Sequence, residues 1–172
     1  VVMGLNDNDI SIDDKIVSPS SSTTQVLALM LDILDNEFGL EKAMMTSVHA
    51  YTSDQPLADS VRSDLRRSRS AVENIIPNQT RSPQLVETIM PHFKGKIAGI
   101  AFNVPIPDGS CVDLTTQLQS TPSVEDVNAL MKDVSENSMS AIIGYTDDPI
   151  VSSDVVGDSH SMIFDARATM IA

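Results

Sequence analysis

Ser18-Pro19-Ser20-Ser21-Ser22-Thr23-Thr24-Gln25 runs directly into Val26-Leu27-Ala28-Leu29-Met30-Leu31-Asp32-Ile33-Leu34, and Gly39 follows. Ser and Thr hydroxyls satisfy the free N–H groups at the start of a helix. Val26, Leu27, Leu29, Met30, Ile33 and Leu34 recur at helical spacing, and Gly39 supplies a helix stop. The spacing predicts a helix over Thr23–Glu37. Glu41–Tyr51, with Met45, Val48 and Ala50, then reads as a strand.

Working outward, Val1–Leu5 and Lys15–Ser18 read as short strands around a polar loop, Asn6–Asp14. Pro56–Thr80 has no clean periodicity, and loops of that length are usually functional or disordered. Ser82-Pro83 starts a second helix and Pro91 ends it. Ile97–Val104 and Ser110–Gln119 are strands joined by the turn Pro105–Gly109. Pro122–Glu136 is a third helix, in which Ser123 and Asp126 have capping spacing. Short strands are expected at Ala141–Tyr145, Val151–Val155, Met162–Asp165 and Ala168–Ile171. The fold class is α+β, with one mixed, largely antiparallel sheet and the three helices on one face.

Composition narrows the function. The 172 residues fit one domain with a core of its own. Aromatics are only 3%, so that core is aliphatic and Met-rich. Twenty-four acidic against 11 basic residues give a net charge of −13, which repels nucleic acid and anionic lipid. No apolar run reaches the ~18 residues of a membrane helix. The single Cys111 forms no internal disulfide, and with three His it makes no ordinary zinc site. It reads as an inert core thiol. A reducing intracellular compartment, cytoplasm or plastid stroma, is expected. The chain begins Val1-Val2 rather than Met, so its natural start is expected elsewhere.

Three constellations could carry chemistry. Ser22 lies at a helix N-terminus, where free N–H groups and the dipole favour an anion or a deprotonated nucleophile; the alternative is simple capping. His49 lies on an apolar strand, as a base or as a satisfied core residue. Arg62, Arg66, Arg67, Arg69 and Arg81 cluster in a very acidic chain, which suggests a bound phosphate or carboxylate, or else internal ion pairs. Neither G-x-G-x-x-G nor G-x-x-x-x-G-K-[ST] occurs, so no nucleotide-binding turn is encoded.

The motifs His49-Ala50-Tyr51-Thr52 with Asp54-Gln55, Asp64-Leu65-Arg66-Arg67, Asn74-Ile75-Ile76-Pro77, Lys94-Gly95-Lys96 and Val112-Asp113-Leu114 occur in this order. Gly144-Tyr145-Thr146 with Asp148-Pro149, Val151-Ser152-Ser153-Asp154, Gly157-Asp158 and Ile163-Phe164-Asp165-Ala166 follow. Together they resemble the catalytic, C-terminal domain of the glyceraldehyde-3-phosphate dehydrogenase family over nearly the whole chain. The resemblance implies that residues 1–14 are the end of a nucleotide-binding domain and its connecting loop. Residues 15–172 would be the catalytic-type domain without the family's C-terminal helix. NAD or NADP serves the family, and none is expected to bind this chain alone.

The family's nucleophile is the Cys of Ser-Cys-Thr-Thr-Asn, where this chain reads Ser21-Ser22-Thr23-Thr24-Gln25. The resemblance puts Ser22 at the nucleophile position and His49 at the base position. A Ser hydroxyl is a far weaker nucleophile than a thiolate. Thr52, Asp54 and Asn103 fall on the substrate-phosphate pocket, with Asn103 in place of the family's Arg. Ser21, Thr23, Arg67 and Thr80 fall on the inorganic-phosphate pocket, with Arg81 in place of a Gly that follows the Thr. Arg81 either adds a cation or folds onto a carboxylate such as Asp54 or Glu73 and seals the site. The reading is a catalytically impaired domain serving as a structural or regulatory subunit; the alternative is part of an active NAD(P)-dependent dehydrogenase. Protein partners or self-association, and a phosphate or sulfate anion, are expected; nucleic acid and membrane insertion are not.

Overall fold

The computed structural model describes residues 1–171; Ala172, at the end of the expected catalytic-type domain, lies outside the described residues. Helix α1 (Ser22–Phe38) starts where the hydroxyl-rich run predicts, with Ser21 as its cap accepting from Thr24 N at 3.2 Å. Gly39, at φ 70°, ends it and donates to Asp35 O at 2.9 Å. Leu27, Ala28, Leu29, Leu31, Ile33 and Leu34 are all buried, so α1 is covered on more than one side.

The chain turns at Gly39 into β1 (Leu40–Ala50), the centre of a four-stranded mixed sheet. β2 (Ile76–Asn78), β3 (Ile97–Val104) and β4 (Cys111–Leu118) complete it in the order β2-β3-β1-β4. β1 runs parallel to β3 and antiparallel to β4, and β2 is antiparallel to β3. Alternation along β1 turns Ala43, Met45, Ser47 and His49 toward the helices, while Met44, Thr46 and Val48 face the other way. α1 packs on β1 and β4, and α2 (Ser82–Ile89) packs on α1 and β3.

The third helix, α3 (Val124–Glu136), is capped by the Ser123–Asp126 box and packs on β5 (Ile143–Thr146). β5 pairs in parallel with β6 (Met162–Asp165) as a separate two-stranded sheet. The strands thus form two sheets rather than one, and α3 belongs to the second. Met131, Ile143 and Met162 still share one buried core with Leu27, Leu31 and Met45. Among the described residues no helix is long and apolar enough to cross a membrane.

Four expected strands are absent, and in three of them an Asp or Asn side chain captures the backbone. In Val1–Leu5, Asn6 Oδ1 accepts from Val2 N at 2.7 Å, and Leu5 N and Asn6 N donate to Val2 O. In Val151–Val155, Asp154 Oδ2 accepts from Val151 N at 2.7 Å and closes a 3₁₀ turn over Ser152–Val155. Ala168–Ile171 follows a turn over Ala166–Ala168 in which Asp165 accepts from Arg167 N at 3.0 Å. Such local bonds compete with a sheet ladder. Lys15–Ser18 is exposed and pairs with no strand; the Val1 ammonium donates to Ser18 O at 2.8 Å. Conversely β2 was not expected: three residues with a central proline carry no period, and proline is tolerated there because β2 is an edge.

Candidate functional site

The N-terminus of α1, the N-terminus of α2 and the C-terminal ends of the parallel strands β1 and β3 meet at a cleft of about 330 Å³. Ser21 and Thr23 line it from the cap and first turn of α1, Ser47 and His49 from β1, Thr80, Arg81 and Ser82 from the chain entering α2, and Asn103 from β3. Thr52 and Asn78 complete its polar rim. Ser22 is the exposed first residue of α1, between two lining residues. Just before it, Ser20 has φ 65°, the only positive φ outside glycine among the described residues. That turn is held by Gln25 Nε2, which donates to Pro19 O at 2.8 Å.

His49 Nδ1 lies 2.7 Å from Ala50 O and donates to that carbonyl, which leaves Nε2 as the ring's acceptor nitrogen. The same carbonyl accepts from Asn103 Nδ2 at 3.3 Å, and Asn103 Oδ1 accepts from Asn78 Nδ2 at 3.2 Å. Asn103 is buried, and both ends of its amide are engaged inside the protein. It brings hydrogen bonding to the pocket but no charge.

The arginine cluster divides. Arg67 pairs with Asp54, whose carboxylate also accepts from Thr52 Oγ1. Arg69 Nε lies 3.0 Å from Asp59 Oδ2, and Arg62 donates to the Asp54 carbonyl. Asp59 is held below the usual carboxylate range, first by the Ser70 N–H and then by Arg69. Asp54 and Arg67 are not among the lining residues of the cleft. Among the described residues Arg62, Arg66 and Arg81 make no ion pair, and Arg81 alone of the five lines the cleft. Asp54 is therefore taken by Arg67, and Arg81 closes onto neither Asp54 nor Glu73.

Sequence reasoning missed Ser47, Asn78, Gln79, Ser82, Leu85 and Ala101 as lining residues. Two were signalled by strand alternation: Ser47 precedes His49 by two positions, and Ala101 precedes Asn103 by two. The others come from β2 and the first turns of α2, which only the fold brings to the cleft. Cys111 is exposed rather than core, because β4 alternates and turns it outward with Asp113. Its thiol is pushed up, first by partial burial and then by Asp113, so it is a poor nucleophile. Among the described residues no group of His, Cys, Asp and Glu could hold a metal ion.

Comparison with known proteins agrees with this arrangement. The profile of the family described as "Glyceraldehyde 3-phosphate dehydrogenase, C-terminal domain" matches residues 21–172. Glyceraldehyde-3-phosphate dehydrogenase of Mycobacterium avium is 46% identical over 171 residues, 99% of this chain and 50% of that protein. The protein of the same name from Borreliella burgdorferi is 46% identical over 173 residues, 99% of this chain and 52% of its own length. That of Mycobacterium leprae is 44% identical over 171 residues. The chain thus spans about half the length of the curated relatives it matches. It belongs to the glyceraldehyde 3-phosphate dehydrogenase family, over that family's C-terminal domain.

Proposed function

We propose that this chain is a catalytically impaired member of the family, retained as a structural or regulatory subunit of a larger assembly. The proposal is carried by Ser22, the exposed first residue of α1, which the family resemblance puts at the nucleophile position. An oxygen nucleophile needs a base to take its proton during attack, and an oxygen ester transfers its acyl group less readily than a thioester. The altered pockets support the same reading. Asn103 is neutral and tied into hydrogen bonds with Ala50 and Asn78 where the family motif carries Arg. Arg81 occupies a position where the motif has Gly.

The family's dehydrogenases use NAD(P). The residues described here do not fit a dinucleotide, since no glycine-rich turn joins a strand to a helix N-terminus. No hydride step is assigned to this chain. In this proposal residues 1–14 are the end of a nucleotide-binding domain and its connecting loop, and 15–172 are the catalytic-type domain. The bacterial relatives favour the cytoplasm over a plastid stroma.

A role in assembly draws support from the sheet face turned away from α1. Met44 is 47% exposed there, beside the partly buried Val48, Ile100 and Phe102. Apolar side chains left on an open sheet face are what a protein contact would cover. The cleft, in turn, retains the features of an anion site: Arg81 without an ion pair and the first turns of two helices. Inorganic phosphate or sulfate is the ligand class proposed.

The test is a rescue series in the chain joined to or supplied with a nucleotide-binding domain. NADH formation from glyceraldehyde 3-phosphate and phosphate is compared for Ser22→Cys alone and for Ser22→Cys with Asn103→Arg and Arg81→Gly. The proposal expects little activity from the single change and recovery from the triple one. Full activity from Ser22→Cys alone would show that both phosphate pockets still work.

A further inference from the structure

Four hydroxyls link the first turns of α1 and α2. Ser21 Oγ lies 2.8 Å from Thr24 Oγ1, Thr24 Oγ1 donates to Ser82 Oγ at 3.0 Å, and Thr80 Oγ1 donates to Ser82 Oγ at 3.2 Å. A hydroxyl carries a single proton. Thr24 gives its proton to Ser82, so the Ser21 proton fills the Ser21–Thr24 contact. Thr80 also gives its proton to Ser82. The Ser82 proton is therefore the one of the four with no acceptor among the described residues. Ser82 is 3% exposed and lines the cleft. It stands where the motif that this stretch resembles has Ala.

A second hydroxyl is uncommitted nearby. Ser47 is 1% exposed, lines the same cleft, and its Oγ has no hydrogen-bond partner among the described residues. A buried hydroxyl without a partner carries its full desolvation penalty, so such a group points to something absent from the protein itself. Arg81, beside Ser82 and without an ion pair, says what charge that partner has.

We propose that Ser82, backed by Ser47, donates the hydroxyl hydrogen bonds to a phosphate-class oxyanion held beside Arg81. Thr80 bonds Ser82 directly and Ser21 reaches it only through Thr24, so both orient Ser82 rather than donate to the anion. This rests on the reading above that the cleft retains an anion, and it adds Ser82 and Ser47 as donors beyond the residues that the family resemblance names. Thr23, whose hydroxyl makes no bond among the described residues, adds a donor from α1.

The experiment titrates inorganic phosphate at low salt against the full chain, with binding heat and melting temperature as readouts. Parent, Ser82→Ala, Ser47→Ala, Thr80→Val and Arg81→Gly are compared. Ser82→Ala and Ser47→Ala are each expected to weaken phosphate binding by about tenfold or more, since each removes a hydrogen bond to a charged group. Thr80→Val is expected to weaken it by about threefold or less, as a change in orientation only. Unchanged affinity in Ser82→Ala, or an equal loss in Thr80→Val, overturns the donor assignment while leaving the anion reading in place. No saturable binding by the parent, or none lost in Arg81→Gly, overturns the anion reading and the assignment with it. If Ser47→Ala does not fold, the contrast between Ser82→Ala and Thr80→Val decides alone.

Discussion

Replacing Thr24 by Val removes the hydroxyl at the centre of the α1–α2 link and keeps the side chain's shape. Thr24 is fully buried, and its Oγ1 bonds Ser21 Oγ at 2.8 Å and Ser82 Oγ at 3.0 Å. Ser21 is exposed and can turn to water, so that bond is worth little. Ser82 is 3% exposed and loses a buried partner. The expected loss is about 1–2 kcal/mol, the range for a buried hydrogen bond with one partner stranded. Thr and Val have similar helix propensities, so little of the effect comes from the backbone. For a domain of this length each 1 kcal/mol moves Tm by about 2–4 °C, so the fall should be about 2–8 °C. Thermal unfolding followed by circular dichroism measures it. Thr88→Val is the control: its Oγ1 bonds Gln84 O at 2.9 Å on the exposed side of α2, and a change within about 0.5 kcal/mol is expected. The double variant with Ser82→Ala should be less than additive by about 0.5–1 kcal/mol. A Thr24→Val fall below about 1 °C, or full additivity, would refute the idea that these hydroxyls hold the two helix termini together.

Two further outcomes follow from local geometry. Gly109 sits at φ 78°, and a Cβ there would lie 1.9 Å from Ser152 O, so Gly109→Ala should destabilise by about 3 kcal/mol or more, read by urea unfolding. Asp126 is held below its usual pKa, first by the Ser123 N–H and then by the Ser123 hydroxyl. Between its folded and unfolded pKa values the folded state binds fewer protons. Stability from this carboxylate is therefore present above the unfolded value near 3.8 and is lost as pH falls through the folded one. Asp126→Asn should flatten the acid limb of a stability–pH curve, and an unchanged limb would show that the cap is not the cause.

What the sequence disclosed depended on how far apart the deciding residues lie. α1, β3, β4 and α3 were legible because their caps and periods are contiguous: Ser21 and Gly39 bracket α1, and Ser123 and Asp126 close on each other. Three of the four lost strands failed for an equally local reason, since Asn6, Asp154 and Asp165 bond their own backbones and nothing in an apolar alternation announces that. The division into two sheets was not legible, because pairing partners lie far apart in the chain. At the site, residue types and motif resemblance led to Ser21, Thr23, His49, Thr52, Thr80, Arg81 and Asn103, and the fold gathers these around one cleft. Ser47 is marked in the sequence only by its place two positions before His49, and Ser82 acquires meaning only when its proton has, or lacks, a neighbour. The separation of Arg67 from Arg81 was equally invisible, since it depends on where Asp54 lies in space.

The central claim is that Ser22 in place of a thiol removes the family's chemistry. Its most direct measurement is the turnover of glyceraldehyde 3-phosphate with NAD and phosphate by this chain, joined to or supplied with a nucleotide-binding domain and set beside the Mycobacterium avium relative. The account predicts no NADH formation above the background of a Ser22→Ala variant. Turnover within about tenfold of the relative, a difference of only ~1.4 kcal/mol in barrier height, would contradict it.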